Sequence, residues 1–365
     1  SLDNPAQWLV DLFGGGPTKS GITVTPCTAL EWVFDAVQVR AQTLSGLPFK
    51  LFRRLKNGDK ELAVNHPLYG IAHDSPHPDL TSSEFCNMMQ SHLDLRGNCY
   101  AQIVRDNGGR VRRLVPLHPD RVSVHRLREF DGEGLRPIVY DVTNDGFGGM
   151  AKLSASEILH IRGYSSDGIC GQSPVRVKAE TIGLAMASTE HAARMFSNGA
   201  RPAGVLEHPG KLGDEGRKNL RNSWEAVHGG AGNAGKVAIL EENMKFHEVG
   251  LTNEDAQLLE SRQYSRAEIA SMYRVPPHMI GDLSRATFGN IEQQSLDFVI
   301  HCVLPIVTNW EQRWNLALLT ESERGEYFFK FNVAGLLRGD LKSRYDAFRV
   351  GLGRAGEPGW ITVND

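Results

Sequence analysis

The sequence predicts an α+β protein whose C-terminal half is organised around three long helices. Start and stop signals delimit these helices between residues 173 and 319. A Gly-rich segment with its own helix and strands lies between the first two helices, and the ten-residue loop Gly281–Asn290 lies between the second and third. Before residue 173, short strands alternate with two helices. We therefore expect an α+β N-terminal part followed by a largely helical part that carries a small inserted module.

The first long helix begins at Ser173-Pro174, because serine is a favoured N-cap and proline fits the first helical position. It ends at Asn198-Gly199, a pair typical of the left-handed turn after a helix. Residues 174–197 would span about 36 Å at roughly 1.5 Å per residue. Its apolar positions are mostly small: Ala179, Gly183, Ala185, Met186, Ala187, Ala192 and Ala193. Such a face favours close packing against another helix, although an ordinary two-sided core helix fits the same pattern.

The second long helix begins near Thr252–Asp255, which resembles a capping box with aspartate in place of glutamate. It continues to Arg274, since Val275 precedes two prolines and is disfavoured in helical geometry. Its length of about 33 Å, at about 1.5 Å per residue, matches that of the first helix. Two matched helices flanking residues 200–251 predict an antiparallel pair with that segment at its far end.

The third long helix is predicted to begin at Asn290 as its N-cap, with Gln293 at the reciprocal capping position. Apolar residues recur at three- or four-residue spacing and indicate a buried face: Leu296, Val299, Val303, Val307, Trp310 and Trp314. Pro305 lies inside this stripe and removes one backbone hydrogen bond, which predicts a kink between His301 and Pro305. Charged residues interrupt the stretch, so the sequence excludes a membrane span here.

The N-terminal part combines two helices with several strands. The helices are predicted at Leu30–Leu44 and at Glu84–Leu95, the second begun by Thr81 and ended by Gly97. Asn107-Gly108-Gly109 predicts a hairpin turn. Strands are predicted at Leu47–Leu55, Ala101–Arg105, Val111–Val115, Val122–His125, Ile138–Val142 and Ile158–Ile161. We expect residues 1–20 to form a mobile arm and His66–Leu80 to form a proline-rich connection.

Further elements are predicted within the insertion and after the third helix. Residues 200–251 contain a predicted helix, Asp214–His228, and two predicted strands, Lys236–Leu240 and Lys245–Val249. The chain continues beyond the third helix with a predicted strand, Tyr327–Val333, and a predicted helix, Leu341–Val350.

Composition excludes a tight, basic DNA-binding protein. The 365 residues carry a net charge of −3 with 23% charged residues, whereas tight non-specific DNA binding depends on neutralising many phosphates. Five cysteines are scattered without a C-x-x-C pair: Cys27, Cys86, Cys99, Cys170 and Cys302. This pattern predicts reduced thiols in a cytosolic setting, and neither a disulfide framework nor a zinc site.

The sequence contains no catalytic motif, so no catalytic residue, cofactor or metal is predicted. Gly146–Gly149 and Gly229–Gly235 are Gly-rich but lack the Lys-Ser/Thr that completes a phosphate loop. His66, His73 and His77 are the best metal candidates, although ordinary loop histidines explain them better. An arginine run is the best basic patch, with a solvated hairpin face as the favoured alternative: Arg105, Arg110, Arg112, Arg113, Arg121, Arg126 and Arg128.

Several motifs, taken in order, resemble those of the portal proteins of tailed bacteriophages, specifically the family typified by phage HK97. They are Gly97-Asn98-Cys99-Tyr100, Leu114–Pro119, Gly171-Gln172-Ser173-Pro174, Asn198–Leu206, Asp255–Leu259, Val275-Pro276-Pro277 and Thr287–Glu292. Each motif is weak alone, but their order is specific. The resemblance covers about residues 24–360, which is nearly the whole chain.

The resemblance implies a portal-type fold whose parts have established names. In this sequence they correspond to a mobile N-terminal arm (1–20), an α+β wing (21–172), a first stem helix (173–199), a small α/β clip (200–251), a second stem helix antiparallel to the first (252–275), a tunnel loop region (276–290), a kinked helix with a strand returning to the wing (291–340), and the start of a truncated crown (341–365).

The resemblance also implies a function. Portal proteins form a ring, usually of twelve subunits, at one capsid vertex, through which DNA is packaged and ejected. The implied partners are further copies of the chain, non-specific double-stranded DNA, the large terminase, the major capsid protein and a head–tail adaptor, with no membrane. The implied location is the virion, with the host cytoplasm during assembly.

Two sets of site residues follow from the resemblance. The DNA-facing residues of the tunnel loop would be Asp282, Ser284, Arg285, Thr287, Phe288 and Asn290. The clip residues that dock terminase or adaptor would be Glu207, His208, Lys211, Arg217, Arg221 and Trp224. Arg285 is expected to touch phosphates transiently and Phe288 to pack on a neighbour, with loop structure or helix capping as the alternative for each. A near-neutral chain suits a conduit, because translocation must break every persistent phosphate contact.

Two other functions stay open from the residues alone. A structural capsid or adaptor ring would share the ring but lack the DNA-related role of the tunnel loop. A nucleic-acid-processing enzyme is less favoured, because only the arginine-rich hairpin and the histidines suggest it.

Overall fold

A computed structural model of the chain describes residues 16–17, 23–24, 31–130, 134, 136–143, 150–197, 204–207, 210, 213–216, 218–219, 222, 244–248, 264–283 and 288–340. The chain divides into two compact units, Ser1–Ala185 with Tyr264–Asp365, and Met186–Gln263. Helices and strands are mixed, so the α+β class predicted from the sequence is confirmed. Among the described residues, no helix is both long and apolar enough to cross a membrane.

The described elements are numbered along the chain. The helices are α1 (Glu31–Ser45), α2 (Pro67–His73), α3 (Ser82–Arg96), α4 (Pro174–Val177), α5 (Ala179–Ser197), α6 (Phe288–Phe298), α7 (Leu304–Leu318) and α8 (Glu321–Arg324). Residues 264–272 are also helical and are called the 264–272 helix. The strands are β1 (Gly16–Pro17), β2 (Thr23–Val24), β3 (Phe49–Arg54), β4 (Lys60–Leu62), β5 (Asn98–Arg105), β6 (Val111–Leu117), β7 (Val122–Arg126), β8 (Ile138–Thr143), β9 (Met150–Ser154), β10 (Ile158–Arg162), β11 (Gly204–Glu207), β12 (Lys245–Glu248) and β13 (Tyr327–Phe331).

Helices α1 and α3 pack against each other in the first unit. Helix α3 begins with a complete capping box: Thr81 Oγ1 accepts from the Glu84 N–H at 3.3 Å, and the Glu84 carboxylate accepts from the Thr81 N–H at 2.9 Å. It ends at Gly97, whose φ of 76° is left-handed. Both boundaries follow the local signals in the sequence.

Helix α2 corrects the expectation that residues 66–80 form only a connection. Pro67 occupies the first helical position, and Nδ1 of His66 accepts from the Leu68 N–H at 3.2 Å. Leu68 and Ile71 are buried, so tertiary packing stabilises this short helix. Proline here is a helix start signal, although the residues around it were predicted to form a loop.

Sheet β4–β3–β13 joins segments far apart in sequence, and its strands are antiparallel. Phe331 stands opposite Phe49, and their rings stack with centroids 4.1 Å apart. Trp314 of α7 meets the Phe49 ring edge-on at 4.8 Å. These aromatic contacts hold α7 and β13 in the core formed with β3.

The first unit also contains two further three-stranded sheets, β10–β5–β6 and β7–β8–β9, and the two-stranded sheet β1–β2. The predicted turn at Asn107–Gly109 joins β5 to β6, and Gly109 has the positive φ of 78° that such a turn requires. Tyr100 of β5 and Tyr140 of β8 are buried in one apolar cluster with Val142, Leu153 and Ile158. Strands β1, β2, β4, β9 and β11 were not predicted. Strand β4 is exposed throughout and β9 is exposed except at Leu153, so neither shows the alternation of buried and exposed residues that marks a strand.

The first stem helix departs from its predicted continuity. Helix α4 ends at Val177, Lys178 leaves helical geometry with φ −106° and ψ 23°, and α5 begins at Ala179. The cap predicted at Ser173 is present, since its hydroxyl accepts from the Arg176 N–H at 3.3 Å. Val175 is fully buried and α4 contacts α3, so packing on α3 sets the direction of this first turn.

The second unit is described in part. Strand β11 pairs antiparallel with β12, with Gly204 opposite Glu248, so the two ends of the segment 204–248 lie side by side. Residues 214–216, 218–219 and 222 are helical, in agreement with the helix predicted there. Strand 236–240, helix 341–350, most of the N-terminal arm and the predicted start of the second stem helix lie outside the described residues.

The third long helix begins at Phe288, so the prediction of Asn290 as its N-cap is wrong. The described helix includes Asn290 in its first turn, where its Oδ1 accepts from Gln294 Nε2 at 3.0 Å. Between α6 and α7, residues Val299–Val303 form a π turn directly before Leu304-Pro305. The regular α-helical pattern is therefore interrupted in the region where the sequence predicted the kink.

Candidate channel loop and its support

The candidate channel loop leaves the fold at Gly281, after a 3₁₀ turn at Pro277–Ile280. Gly281 has a φ of 79°, and a Cβ there would lie 2.9 Å from Nη2 of Arg266. The same Arg266 nitrogen donates to the Ile280 carbonyl. The start of the loop is thus fixed to the 264–272 helix by one side chain. The positive φ favours glycine at this position, and a Cβ there would displace the Arg266 side chain.

The two flanks of the loop are joined by a polar contact. Nδ1 of His278, before the loop, lies 3.0 Å from Oε1 of Gln294 in α6. Because the amide oxygen only accepts, this imidazole nitrogen carries the proton. Gln294 also donates to Asn290, one turn earlier in α6. This His278–Gln294 clamp fixes where the chain leaves for the loop and where it returns.

The 264–272 helix ends in a Schellman motif that has an arginine at the left-handed position. The N–H of Val275 donates to the Ala270 carbonyl and that of Arg274 to the Ser271 carbonyl, both at 3.0 Å. Arg274 has a φ of 56°, although this position usually holds glycine. The helix therefore ends two residues before the predicted Arg274, and Pro276 follows the motif.

Arg274 contacts the π turn of the third helix. Its Nη1 donates to the His301 carbonyl at 3.2 Å, and Sγ of Cys302 lies 3.5 Å from the Tyr273 carbonyl. His301 is four residues before Pro305, which has no N–H to offer that carbonyl. That carbonyl therefore lacks the donor that an uninterrupted α-helix would offer four residues on, and Arg274 at the end of the 264–272 helix donates to it.

A buried ion pair fixes the same helix end to α1 and α3. Nη2 of Arg40 lies 2.9 Å from Oδ1 of Asp94, and its Nη1 donates to the Tyr273 carbonyl at 3.0 Å. The Tyr273 hydroxyl donates to the Asp94 carbonyl at 3.3 Å. Burial raises the pKa of Asp94, while the charge of Arg40 opposes that shift. A cation at a helix C-terminus also complements its dipole.

The first stem helix starts from a junction made by two of the sequence motifs. Asn98 donates from Nδ2 to the Gly171 carbonyl and accepts on Oδ1 from the Gly171 N–H, each at 2.7 Å. Ser173 Oγ donates to the Leu95 carbonyl at 2.7 Å. The backbones of Gly97 and Gly171 approach so closely that a Cβ on either would overlap the other segment.

The junction continues into the wing through a buried histidine. His160 donates from Nε2 to Asn98 Oδ1 at 3.0 Å, because that oxygen only accepts. Its Nδ1 then accepts from the Tyr140 hydroxyl at 3.2 Å. Burial, followed by the charges of Arg162 and Arg313, lowers the pKa of His160 to about 3. The ring is therefore neutral at physiological pH.

The histidines that suggested a metal site, and two of the arginines of the basic patch, have partners within the chain. His66 caps α2 and lies 3.3 Å from Glu323, His73 contacts Asp74, and His77 accepts from the Asp79 N–H. Within the described ranges, no group of three or more His, Cys, Asp or Glu residues could hold a metal ion. In the hairpin, Arg112 pairs with Asp106 at 3.1 Å and Arg105 donates to the Gly109 carbonyl.

Comparison with known proteins identifies the family. The family model described as phage portal protein matches residues 31–365. This chain belongs to the phage portal protein family. The portal resemblance inferred from the motifs is thereby confirmed. Because the proteins of this family are structural, the chain is a member of a structural family.

Individual relatives of this portal-family chain agree. It is 31% identical over 350 residues to the probable portal protein of Streptomyces phage phiC31, covering 93% of this chain and 75% of that protein. It is 30% identical over 340 residues to the portal protein of Enterobacteria phage HK97, covering 91% and 76%. A chain in the neck of a native gene transfer agent particle, computed with C12 symmetry, matches with a TM-score of 0.64 at 22% identity, covering 91% of this chain and 88% of that one. The likeness to this neck structure shows that the two chains share a fold.

The structure places part of the predicted portal site residues. Asp282 is half-buried just after Gly281, Asn290 is exposed in α6, and Phe288 is the first residue of α6. Glu207 is exposed at the end of β11. The other predicted residues lie outside the described residues: Ser284, Arg285 and Thr287 of the loop, and His208, Lys211, Arg217, Arg221 and Trp224 of the clip.

The residues that support the loop were not predicted from the sequence. Arg40, Arg266, Arg274, His278 and Gln294 each contact a segment remote in sequence, and no local pattern marks them. The junction residues were easier to predict, because the Gly97-Asn98 and Gly171–Pro174 motifs had already been identified in the sequence.

Proposed function

We propose that the chain assembles into a ring, of twelve copies in the portal family's usual form, at one capsid vertex, and that DNA passes through it. Membership of the phage portal family supports this assignment, as does the C12 symmetry of the similar neck structure. A ring built by rotation uses heterologous contacts, in which one face of each subunit meets a different face of the next.

The observation that carries the channel role is the supported loop between the 264–272 helix and α6. Arg266 fixes its start, the His278–Gln294 clamp joins its flanks, and Arg274 ties the preceding helix to the π turn. A loop that contacts moving DNA needs flanking residues that stay in place while the DNA moves. These contacts, distributed over three elements, supply such a base.

In the proposed ring, the loop faces DNA through Asp282, Ser284, Arg285, Thr287, Phe288 and Asn290. Its mixed composition, one cation and one anion among polar and aromatic side chains, suits transient contact. The near-neutral net charge of −3 agrees with a conduit, because a strongly basic lining would retain phosphates.

We further propose that the clip docks the packaging terminase and later a head–tail adaptor, while the wing meets the major capsid protein. The clip contacts are assigned to Glu207, His208, Lys211, Arg217, Arg221 and Trp224. Antiparallel pairing of β11 with β12 supports the clip as a separate module, because it closes residues 204–248 into one hairpin-like unit. The site of action is the virion, after assembly in the host cytoplasm.

A loop replacement tests the DNA role separately from the ring. Residues 283–287 are exchanged for a Gly-Ser linker of equal length, which keeps Gly281 and the clamp. Turn 56–58 of the wing, exchanged in the same way, is the control. We expect rings by electron microscopy with both proteins, and reduced nuclease-protected DNA in particles only with the loop replacement. Unchanged packaging would favour a structural ring without a DNA role.

A further inference from the structure

Two arginines lie together where α7 packs across β10. Arg162 is the last residue of β10, and Arg313 lies one turn after Asn309 in α7. Asn309 Nδ2 donates to the Arg162 carbonyl at 2.8 Å, which fixes the two elements against each other. Both arginines therefore project from rigid elements, and both are half-buried.

Among the described residues, the two guanidinium groups have few partners. Arg162 donates from Nη1 to the Ile169 carbonyl at 3.3 Å, while its Nε is buried without a hydrogen-bond partner in the described part of the chain. Over the same residues, no carboxylate forms an ion pair with Arg162 or Arg313. A partly desolvated charge without a counter-charge is unfavourable, and two adjacent ones are more so.

The surrounding groups do not relieve this repulsion. Burial first, and the charge of Arg162 second, lower the pKa of Arg313. The neighbouring His160 is neutral, and the Tyr140 hydroxyl is already engaged with it. The site thus presents two positive groups, several N–H donors and no negative charge within the described residues.

We propose that Arg162 and Arg313 form a binding site for a carboxylate side chain of the neighbouring subunit in the ring. This inference rests on the ring assembly proposed above. Paired guanidinium groups match the planar, two-oxygen geometry of a carboxylate. Rotational symmetry would repeat the contact at every interface and neutralise every pair.

Two observations favour a protein carboxylate over a DNA phosphate. The arginines are half-buried between a helix and a strand, where a single side chain can enter, whereas a duplex offers its phosphates on a broad cylinder that meets protruding groups. The chain also has 43 acidic against 40 basic residues, so copies of it supply a surplus of carboxylates.

Substitution of Arg313 tests this site. Arg313→Met keeps side-chain length but removes the charge, and Arg113→Met, at an exposed position of β6, is the matched control. Because no carboxylate among the described residues pairs with Arg313 and the charge of Arg162 opposes its own, we expect the melting temperature of the Arg313→Met monomer to stay equal or rise. We expect its rings to need about tenfold more protein to assemble by mass photometry, and the control to match the wild type in both measurements.

A crosslinking experiment locates the carboxylate. In the Arg313→Lys variant, carbodiimide joins the new amine to any carboxylate in contact with it, and mass spectrometry identifies the linked peptides. We expect a link between two different subunits in rings and none in monomers. A link already present in monomers, or no link in rings, would overturn the proposal.

The remaining outcomes separate this inference from the proposed function. If wild-type protein forms no rings at any concentration, the proposed ring itself fails. If wild type and Arg313→Met form rings equally well, only the carboxylate site is wrong. If Arg313→Met assembles normally but binds duplex DNA more weakly, the ligand is a phosphate and the proposal is overturned.

Discussion

Asn98 uses both polar atoms of its short side chain where α3, β5, β10 and the start of the first stem helix meet. It pairs with the Gly171 N–H and carbonyl as a strand neighbour would, and it accepts from His160. Gly97 and Gly171 beside it approach each other so closely that neither has room for a Cβ. Asn98 is buried, so water cannot replace the bonds by which it connects β5 and β10 to the segment that leads into α4.

Replacement of Asn98 by alanine leaves the Gly171 backbone groups and His160 Nε2 buried without partners. We expect a loss of about 2–4 kcal/mol in the free energy of unfolding, measured with urea. Asn57→Ala, at an exposed turn, should change the same quantity by less than about 0.5 kcal/mol. An Asn98→Ala protein as stable as the control would show that the junction does not depend on this side chain.

His160 gives the fold a pH dependence whose sign is fixed by its burial. Its pKa falls to about 3 in the folded protein, while an unfolded histidine titrates near 6.5. The unfolded chain binds more protons between these values, so stability is complete above about pH 6.5 and declines as pH falls toward 3. The contribution is at most about 1.4 kcal/mol per pH unit.

The slope of stability against pH tests this assignment. His160→Gln retains a donor for Asn98 but removes the titration, so its unfolding free energy should decline less steeply between pH 6.5 and pH 4.5 than that of the wild type. The comparison of slopes is independent of any constant loss of stability. Equal slopes would mean that His160 is protonated in the folded protein as readily as in the unfolded chain.

At the scale of elements, the third long helix is supported before its interruption and at the interruption itself. The loop base is held by Arg266 and the His278–Gln294 clamp, and the π turn is held by Arg274. Pro305 has no N–H to donate to the His301 carbonyl, and this carbonyl accepts from Arg274. The kink is therefore a docking point for the 264–272 helix as well as a bend in the chain.

Alanine at Gly281 combines an unfavourable φ with a contact against Arg266. Alanine at Gly109 has the same backbone problem, with a φ of 78°, but no atom within 4 Å of its Cβ. We expect Gly109→Ala to cost about 1 kcal/mol and Gly281→Ala to cost about 1 kcal/mol more, measured as unfolding free energies. Equal losses would show that Arg266 moves away freely and does not fix the loop start.

Pro305→Ala tests the link between the kink and the 264–272 helix. The new N–H can satisfy the His301 carbonyl within the helix, so the bond from Arg274 should weaken. We expect faster amide hydrogen exchange at residues 270–276, while the global unfolding free energy changes by less than about 1 kcal/mol. Exchange at the wild-type rate would mean that Arg274 does not depend on the orphaned carbonyl.

At the scale of the whole molecule, the features that were predicted correctly from the sequence are those that local signals determine. The capping box at Thr81, the turn at Asn107–Gly109 and the α+β class follow from short-range chemistry. The break at Lys178 and the left-handed Arg274 were missed, because packing on α3 and contact with a remote helix impose them. The Arg40–Asp94 pair and the loop clamp likewise join segments that no local window contains.

The resemblance to portal proteins predicted the ring and its function, which local folding signals do not indicate. The motifs around Gly97 and Gly171 stood out in the sequence, and the structure shows why they share one pattern: they form a single junction. The ring itself is a property of many copies. The internal contacts of one chain support its loop and stem, but its symmetry depends on surfaces that meet only on assembly.

The most direct test of the central claim is electron microscopy of the purified full-length protein across concentration and salt. We expect top views of closed rings with an open centre wide enough for duplex DNA, together with a matching mass in light scattering. A protein that stays monomeric under all conditions, or that forms closed particles without a central opening, would contradict the account.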